Sequence, residues 1–391
     1  MSVIKDNEGV RSPSTLYMAM ELGEKTWKLA FATGMAQKPR LREVSARDTD
    51  ALKAEVGAAR QRFGLPSDVA VVSCYEAGRD GFWLHRFLAS IAVRNVIVES
   101  CSILVDRRQR RAKTDRLDAT KLLGMLIRWY QGEANVWSVI EVPSVEDEHA
   151  RHPHRELQAL RREQTGHVNR IKGLLAACGL TIEVRRELPK VLEELRQWDG
   201  VPLPKELHQR LLREFERMQV ANHQIRQLEQ ERAERIRTDD TDPGVALVRK
   251  LLGLKAIGVN SAWLYVREVF AWRKIKNRRE LAALVGLVPT PYQSGEDARE
   301  QGISKAGNRR MRAMAVEIAW CWLQFQPHSA LSRWYEQRFA HGGRRQRRIG
   351  IVALARKLLV ALLKYLTTGV LPEGAEVGDW REKIHYTATL S

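Results

Sequence analysis

The chain has 391 residues, 44% of them hydrophobic, and 65 Lys and Arg against 47 Asp and Glu give a formal net charge of +18. That length exceeds one ordinary core and predicts two or three domains, while the excess of positive charge favours a polyanionic partner, nucleic acid before anionic membrane. No run of about 18 apolar residues and no signal-peptide core near the N-terminus are present, so the expectation is a soluble, intracellular protein with no membrane partner.

In chain order, Leu16 to Glu21 and Trp27 to Thr33 alternate as strands around a Gly23-Glu24-Lys25 turn, and Leu41 to Val44 supplies a third antiparallel strand. A helix from Thr49 to Phe63 leads to the apolar run Val69 to Cys74, which suits a buried central strand with Glu76 just past its carboxyl end. A helical segment from Gly81 to Ala92, a short strand Val96 to Val98 and an amphipathic helix Asp115 to Tyr130 follow. Three strands followed by alternating helices and strands is the order of a ribonuclease-H-like mixed sheet, whose acids gather at strand ends and on a closing helix. Cys74, Cys101, Cys178 and Cys321 lie far apart with no C-x-x-C, which argues against a zinc site and a disulfide framework.

The segment Arg110-Arg111-Ala112-Lys113-Thr114-Asp115-Arg116-Leu117-Asp118 supports two readings. Asp115 and Asp118, three residues apart, share a helical face, where paired acids hold a divalent cation while Arg110, Arg111, Lys113 and Arg116 hold phosphates. Alternatively, Thr114 caps the helix and both aspartates answer its dipole.

From Pro143 to His154 the chain turns acidic and then histidine-rich, a linker in this reading. Arg155 to Gly179 and Lys205 to Arg237 are helical, split by Pro189, Pro202 and Pro204. Leu211, Phe215, Met218, Ile225 and Leu228 form a narrow apolar stripe, which fits a helical hairpin packing on itself and equally a dimerisation arm. Asp239 to Gly244 breaks the helix. The expected domains are thus 14–142, 155–240, 245–370 and a tail over 371–391.

Leu251 to Ala262 has the apolar-x-x-Ile-Gly pattern of a helix-hairpin-helix turn. Either Lys255 and Gly258 meet a phosphate there, or Gly258 simply joins two core helices. The prolines and glycines from Leu284 to Arg312 predict a structured loop leading into a helix capped near Asn308. Ser294 stands in that loop, with Lys305, Asn308, Arg309, Arg310 and Arg312 after it. A hydroxyl among arginines is a candidate nucleophile toward a phosphodiester, although a lone Ser-Gly is also an ordinary turn. Arg344, Arg345, Arg347 and Arg348 follow Gly342-Gly343 as a flexible basic finger for a nucleic-acid backbone, or as a solvated charge run.

Taken together, KTDRLDA and the YQSG…GISKAGNRRMR block resemble the insertion-sequence transposases that carry a RuvC-like DEDD domain and a serine-bearing C-terminal domain, the bridge-RNA-guided recombinases, similar also to pilin-gene invertases. The resemblance runs from Tyr17 to about Gly369. It implies that Glu21, Glu76, Asp115 and Asp118 bind Mg2+ (or Mn2+), and that Ser294 attacks DNA to form a covalent serine–DNA intermediate. It further implies target and donor DNA, a structured guide RNA, and a homodimer or homotetramer acting at the prokaryotic nucleoid in the cytoplasm. Glu21 departs from the family's pattern, which has aspartate at that position. Two other functions fit the same residues: a structure-selective, metal-dependent nuclease using water, and a non-catalytic nucleic-acid-binding protein.

Overall fold

The computed structural model describes residues 15–103, 115–133, 136–294 and 297–389. Two compact units divide the chain, Met1–Val142 and Pro143–Ser391.

The first unit opens with β1 (Leu16–Leu22), β2 (Thr26–Ala32) and β3 (Arg40–Ser45), then α1 (Thr49–Arg62), β4 (Val71–Glu76), α2 (Trp83–Ser90), β5 (Val93–Val98) and α3 (Asp115–Tyr130). The sheet order is β3-β2-β1-β4-β5. β1, β2 and β3 run antiparallel, and β4 and β5 run parallel to β1, the mixed sheet that the element order predicts. Gly23 makes the first turn: its N–H donates to the Thr26 carbonyl at 3.1 Å, and a Cβ there would stand 2.5 Å from that same oxygen.

Period-two alternation gives the sheet two apolar faces. Met18, Met20, Leu29, Phe31, Tyr75 and Ile97 line one, with Leu52, Val56, Leu84 and Leu88 packed among them. Tyr17, Ala19, Ala30, Ala32, Cys74 and Val98 line the other, beside Leu122, Leu123 and Leu126. The small alanines on this second face let α3 approach closely. β4 starts two residues later than its hydrophobicity predicts, because Val69 is held in a turn by its N–H to Pro66 O at 3.2 Å. At its other end the strand runs past Cys74, so that Glu76 is its last residue rather than just beyond it.

The second unit holds α4 (Val145–His149), α5 (His152–Ala176), α6 (Leu188–Glu194), α7 (Lys205–Thr238), α8 (Pro243–Leu252), α9 (Val259–Tyr265), α10 (Arg278–Leu284), β6 (Pro289–Ser294), β7 (Asp297–Ile303), α11 (Arg309–Phe325), α12 (Ala330–Tyr335), α13 (Arg344–Thr368) and α14 (Trp380–Thr389). Single π-helical turns extend α9 over Val266–Phe270 and α12 over Glu336–Ala340. The segment expected to be a linker is helical instead. Ser144 accepts from the Asp147 N–H, and Glu146, Asp147 and Glu148 fill the first turn of α4, where negative charge answers the helix dipole.

α5 and α7 form an antiparallel hairpin. Leu157 and Leu160 cluster with Ile225, and Ile171 and Leu175 with Leu211, Phe215 and Met218. Gln164 donates to Asn222 at 2.6 Å, and His167 pairs with Glu214 at 2.6 Å. The apolar stripe of α7 is therefore covered within the chain. The largest core of this unit gathers Trp263, Tyr265, Trp322, Leu354 and Leu358 from α9, α11 and α13.

Candidate nucleic-acid and acidic sites

Strand register and helix direction place the acidic candidates toward one end and one face of the sheet. Met20 of β1 lies beside Tyr75 of β4, so Glu21 and Glu76 come next on neighbouring parallel strands. Alternation puts both on the Ala19 and Cys74 face, the one that α3 covers. Tyr130, at the end of α3, meets the Tyr17 ring near the start of β1 at 5.5 Å, and the Cys74 thiol lies 3.9 Å from Leu122 O. α3 therefore runs opposite to β1, and its first turns lie toward the carboxyl ends of β1 and β4. Asp118 is half-buried there, and Asp115 is the first residue of the helix.

Glu21 is half-buried, and β2 sets Lys28 directly across from it. Among the described side chains, no group of three or more His, Cys, Asp and Glu stands close enough to hold a metal ion. Asp115 and Arg116 belong to α3 by their backbone; Arg110, Arg111 and Lys113 lie outside the described residues.

Ser294 belongs to the second unit. The expected loop around it is a β-hairpin: β6 and β7 pair antiparallel, and Ser294 is the last residue of β6, directly across from Asp297. Pro289 and Pro291 are tolerated because a two-stranded ribbon leaves outward N–H positions unused, and the register shifts between them. The segment after the hairpin is a close-packed turn. Ser304, Lys305 and Asn308 donate backbone N–H groups to Val288 O, Gly286 O and Leu284 O at 2.9, 3.1 and 2.7 Å. Gly286 has φ +69°, and a Cβ on it would stand 2.0 Å from Ala306 O; Gly307 has φ +93°, and a Cβ there would stand 2.3 Å from Leu284 O. These two glycines are the reason the block reads as it does.

This turn fixes the start of α11. The Asn308 side chain accepts from Arg310 N and Met311 N at 3.0 and 3.2 Å, so it works as the predicted cap. Arg312 donates to Val285 O at 3.1 Å and ties α11 to the end of α10, whereas Lys305 and Arg309 are exposed and Arg310 is half-buried.

The α8–α9 turn is held from within. Gly258 caps α9 in an extended conformation, its N–H donating to Ser261 Oγ at 3.1 Å, and no atom crowds the place of its missing Cβ. The Lys255 ammonium pairs with Glu376 at 2.6 Å. Lys383 of α14 donates to Leu252, Leu254 and Ile257 carbonyls at 2.7, 2.7 and 3.0 Å, and burial lowers its pKa to about 8. These contacts tie the α8–α9 turn to α14 and to the segment before it.

The expected basic finger is not a loop. Arg344 to Arg348 form the first turns of α13, since arginine is a good helix former and Arg347 N–H already donates to Gly343 O at 3.1 Å. Arg344, Arg345, Arg347 and Arg348 are all exposed. Sequence reasoning left Trp320 undistinguished among eleven tryptophans, yet it is 49% exposed beside Arg344, Arg347 and Arg348. The available signal was its phase: it falls outside the buried stripe Met311, Ala315, Ile318, Ala319 and Trp322.

Comparison with known proteins agrees with a DNA-directed reading. Residues 248–336 match the family model described as Transposase IS116/IS110/IS902 family, a span that includes the α8–α9 turn, the Ser294 hairpin and the Asn308 cap. A Sinorhizobium fredii protein named as a transposase, y4rJ, is 40% identical over 377 residues, covering 92% of this chain and 94% of that one. The Yersinia enterocolitica transposase for insertion sequence element IS1328 is 27% identical over 187 residues, 46% of this chain and 52% of its own. The class these likenesses define is the transposase, which recombines DNA. The chain belongs to the IS116/IS110/IS902 family of insertion-sequence transposases. No helix among the described residues is long and apolar enough to cross a membrane.

Proposed function

We propose that this transposase cleaves and rejoins target and donor DNA under the direction of a structured guide RNA, using a RuvC-like set of acids and the Ser294 hydroxyl. The observation that carries the reading is the strand register that sets Glu21 beside Glu76 on the sheet face covered by α3, with Asp115 and Asp118 on the first turns of that helix. Carboxylate oxygens are the donors that hard divalent cations prefer, so these four residues would hold Mg2+ or Mn2+. The ion, when bound, supplies Lewis-acid stabilisation of phosphoryl oxygens.

The Ser294 oxygen bonds to phosphorus, one DNA P–O bond breaks, and the departing oxygen takes up the proton that the serine loses. A hydroxyl of the second strand then reverses the exchange. Ser294 stands at the end of a strand, next to the tip of its hairpin, a position that supports presentation of a hydroxyl to a DNA backbone. Exposed Lys305, Arg309 and the α13 arginines supply sequence-independent phosphate contacts. Homodimers or homotetramers would combine acids and serines from different copies.

The test is incubation of the protein with supercoiled donor and target plasmids, the RNA from the element's flank, and Mg2+ or chelator. Wild-type protein yields recombinants and a DNA-linked band on denaturing gels. Ser294→Ala and Asp118→Asn each lose both, and chelator does the same. Cleavage without a protein link in Ser294→Ala would replace this reading with a nuclease that uses water. Recombination that proceeds equally without RNA would remove the guide.

A further inference from the structure

We propose that the cavity bordered by α11, α12 and α13 takes one nucleotide of an unpaired DNA strand, the base lying on Trp320 and the flanking phosphates on Arg344, Arg347 and Arg348. The inference rests on the DNA-recombining reading above, but not on its serine chemistry.

The observation behind it is an aromatic ring left in water beside concentrated positive charge. α11 buries a regular stripe that ends in Trp322, and Trp320, out of phase with it, keeps 49% of its surface exposed. It borders a cavity of about 400 Å³ lined also by Tyr335, Ala340, Arg344, Arg347 and Arg348. That volume is enough for a base and its sugar. The cavity wall is fixed: Tyr335 is buried, and its hydroxyl donates to Arg347 O at 3.5 Å. Phe339 packs so close to Gly350 of α13 that a Cβ there would stand 2.4 Å from its ring.

The arginines are arranged with a direction. Residues 344, 347 and 348 fall at i, i+3 and i+4, on one face of α13, and Arg345 falls off that face. No acid stands in the first turn of α13, and Gly343 offers no capping side chain, so these guanidinium groups crowd the positive end of a helix dipole. A polyanion relieves that repulsion. The ring then decides which polyanion. Bases in a duplex are stacked on one another and closed to a protein ring, whereas an unpaired strand offers base faces that stack on Trp and phosphates that pair with Arg. Of the two nucleic acids in the proposed function, the strand assigned here is DNA opened during strand exchange, because DNA is what a transposase recombines, and the oligouridine arm below tests the guide RNA instead.

The experiment is fluorescence anisotropy with the full chain in chelator, using labelled oligothymidine, its duplex with oligodeoxyadenosine, and oligouridine. Trp320→Ala is expected to weaken oligothymidine binding about 5- to 100-fold and duplex binding less than about 2-fold. Trp320→Phe retains most of the affinity, and Arg347→Ala loses more than Arg345→Ala. Oligothymidine carrying 5-iodouracil cross-links under ultraviolet light to the peptide that contains Trp320. Ser294→Ala binds oligothymidine as the wild type does, so failure of the serine mechanism leaves this result standing. Unchanged oligothymidine binding by Trp320→Ala, equal losses on single strand and duplex, or binding of oligouridine but not oligothymidine would each overturn the proposal.

Discussion

Acidification to pH 4 should remove about 3 kcal/mol of stability through one buried imidazole. His154 is 4% exposed, on the first turn of α5. The Gln158 side-chain amide meets its Nε2 at 3.0 Å, and its Nδ1 has no partner. Burial first, and then the charge of Arg232, push its pKa from 6.5 down to about 4. The unfolded chain takes up this proton near pH 6.5, but the folded chain resists it until about pH 4. The stabilisation is therefore complete above pH 6.5 and is lost as the pH falls toward 4. A gap of about 2.5 pH units at about 1.4 kcal/mol each gives the figure of about 3 kcal/mol. Urea unfolding followed by far-ultraviolet circular dichroism at closely spaced pH values measures it, because the helical unit dominates that signal. His154→Leu cannot titrate, and its stability should fall less steeply than the wild type's over the same interval, the remaining slope coming from carboxylates such as Glu268. Equal slopes for wild type and His154→Leu between pH 6.5 and 4.5 would mean that His154 carries none of this pH dependence.

Other outcomes follow from contacts already described or adjoining them. Glu268 is buried and accepts two bonds from Arg155, each 2.9 Å, and this pairing keeps its pKa low although burial acts to raise it. Glu268→Ala leaves Arg151, Arg155 and Arg310 without that carboxylate and should cost about 3 kcal/mol in urea unfolding. Arg155→Ala should cost at least as much, because it strips both bonds from a carboxylate that is only 4% exposed, whereas the Arg155 side chain is 35% exposed and can turn to water. Gly286→Ala meets both a left-handed backbone and the Ala306 carbonyl, and a loss above about 2 kcal/mol is expected, read as a lower urea midpoint. Asn308→Ala removes the cap of α11 and should cost about 1 kcal/mol, whereas Asn308→Asp should recover most of it.

Much of the first unit was legible because its signals are local. Alternation marked β1 and β2, the Gly23 turn joined them, and Asp115 to Tyr130 emerged as a helix at its observed bounds. Asn308 was legible as a cap for the same reason: the residue type and the helix it starts are neighbours in sequence. The Ser294 hairpin was less so. Its prolines and glycines read as loop punctuation, and only the pairing of Pro291 with Glu300 and of Ser294 with Asp297 turns them into strands. Likewise, Gly342-Gly343 before four arginines looked mobile, yet packing of Gly350 and Ile351 into the core draws the whole segment into α13.

The basic charge, the presence of more than one domain, the order of the first strands, the acids and serine that resemble those of a recombinase, and the start of α11 were all readable from residues alone. Those properties depend on composition or on residues within a few positions of one another. It took the packed fold to set Glu21 next to Glu76 on the sheet face that α3 covers, to cover the α7 stripe with α5, and to leave Trp320 in water beside Arg347. Each of these depends on which surfaces meet across long stretches of chain. That choice is made by burying apolar area and matching shapes over the whole fold, and no short window of residues contains it.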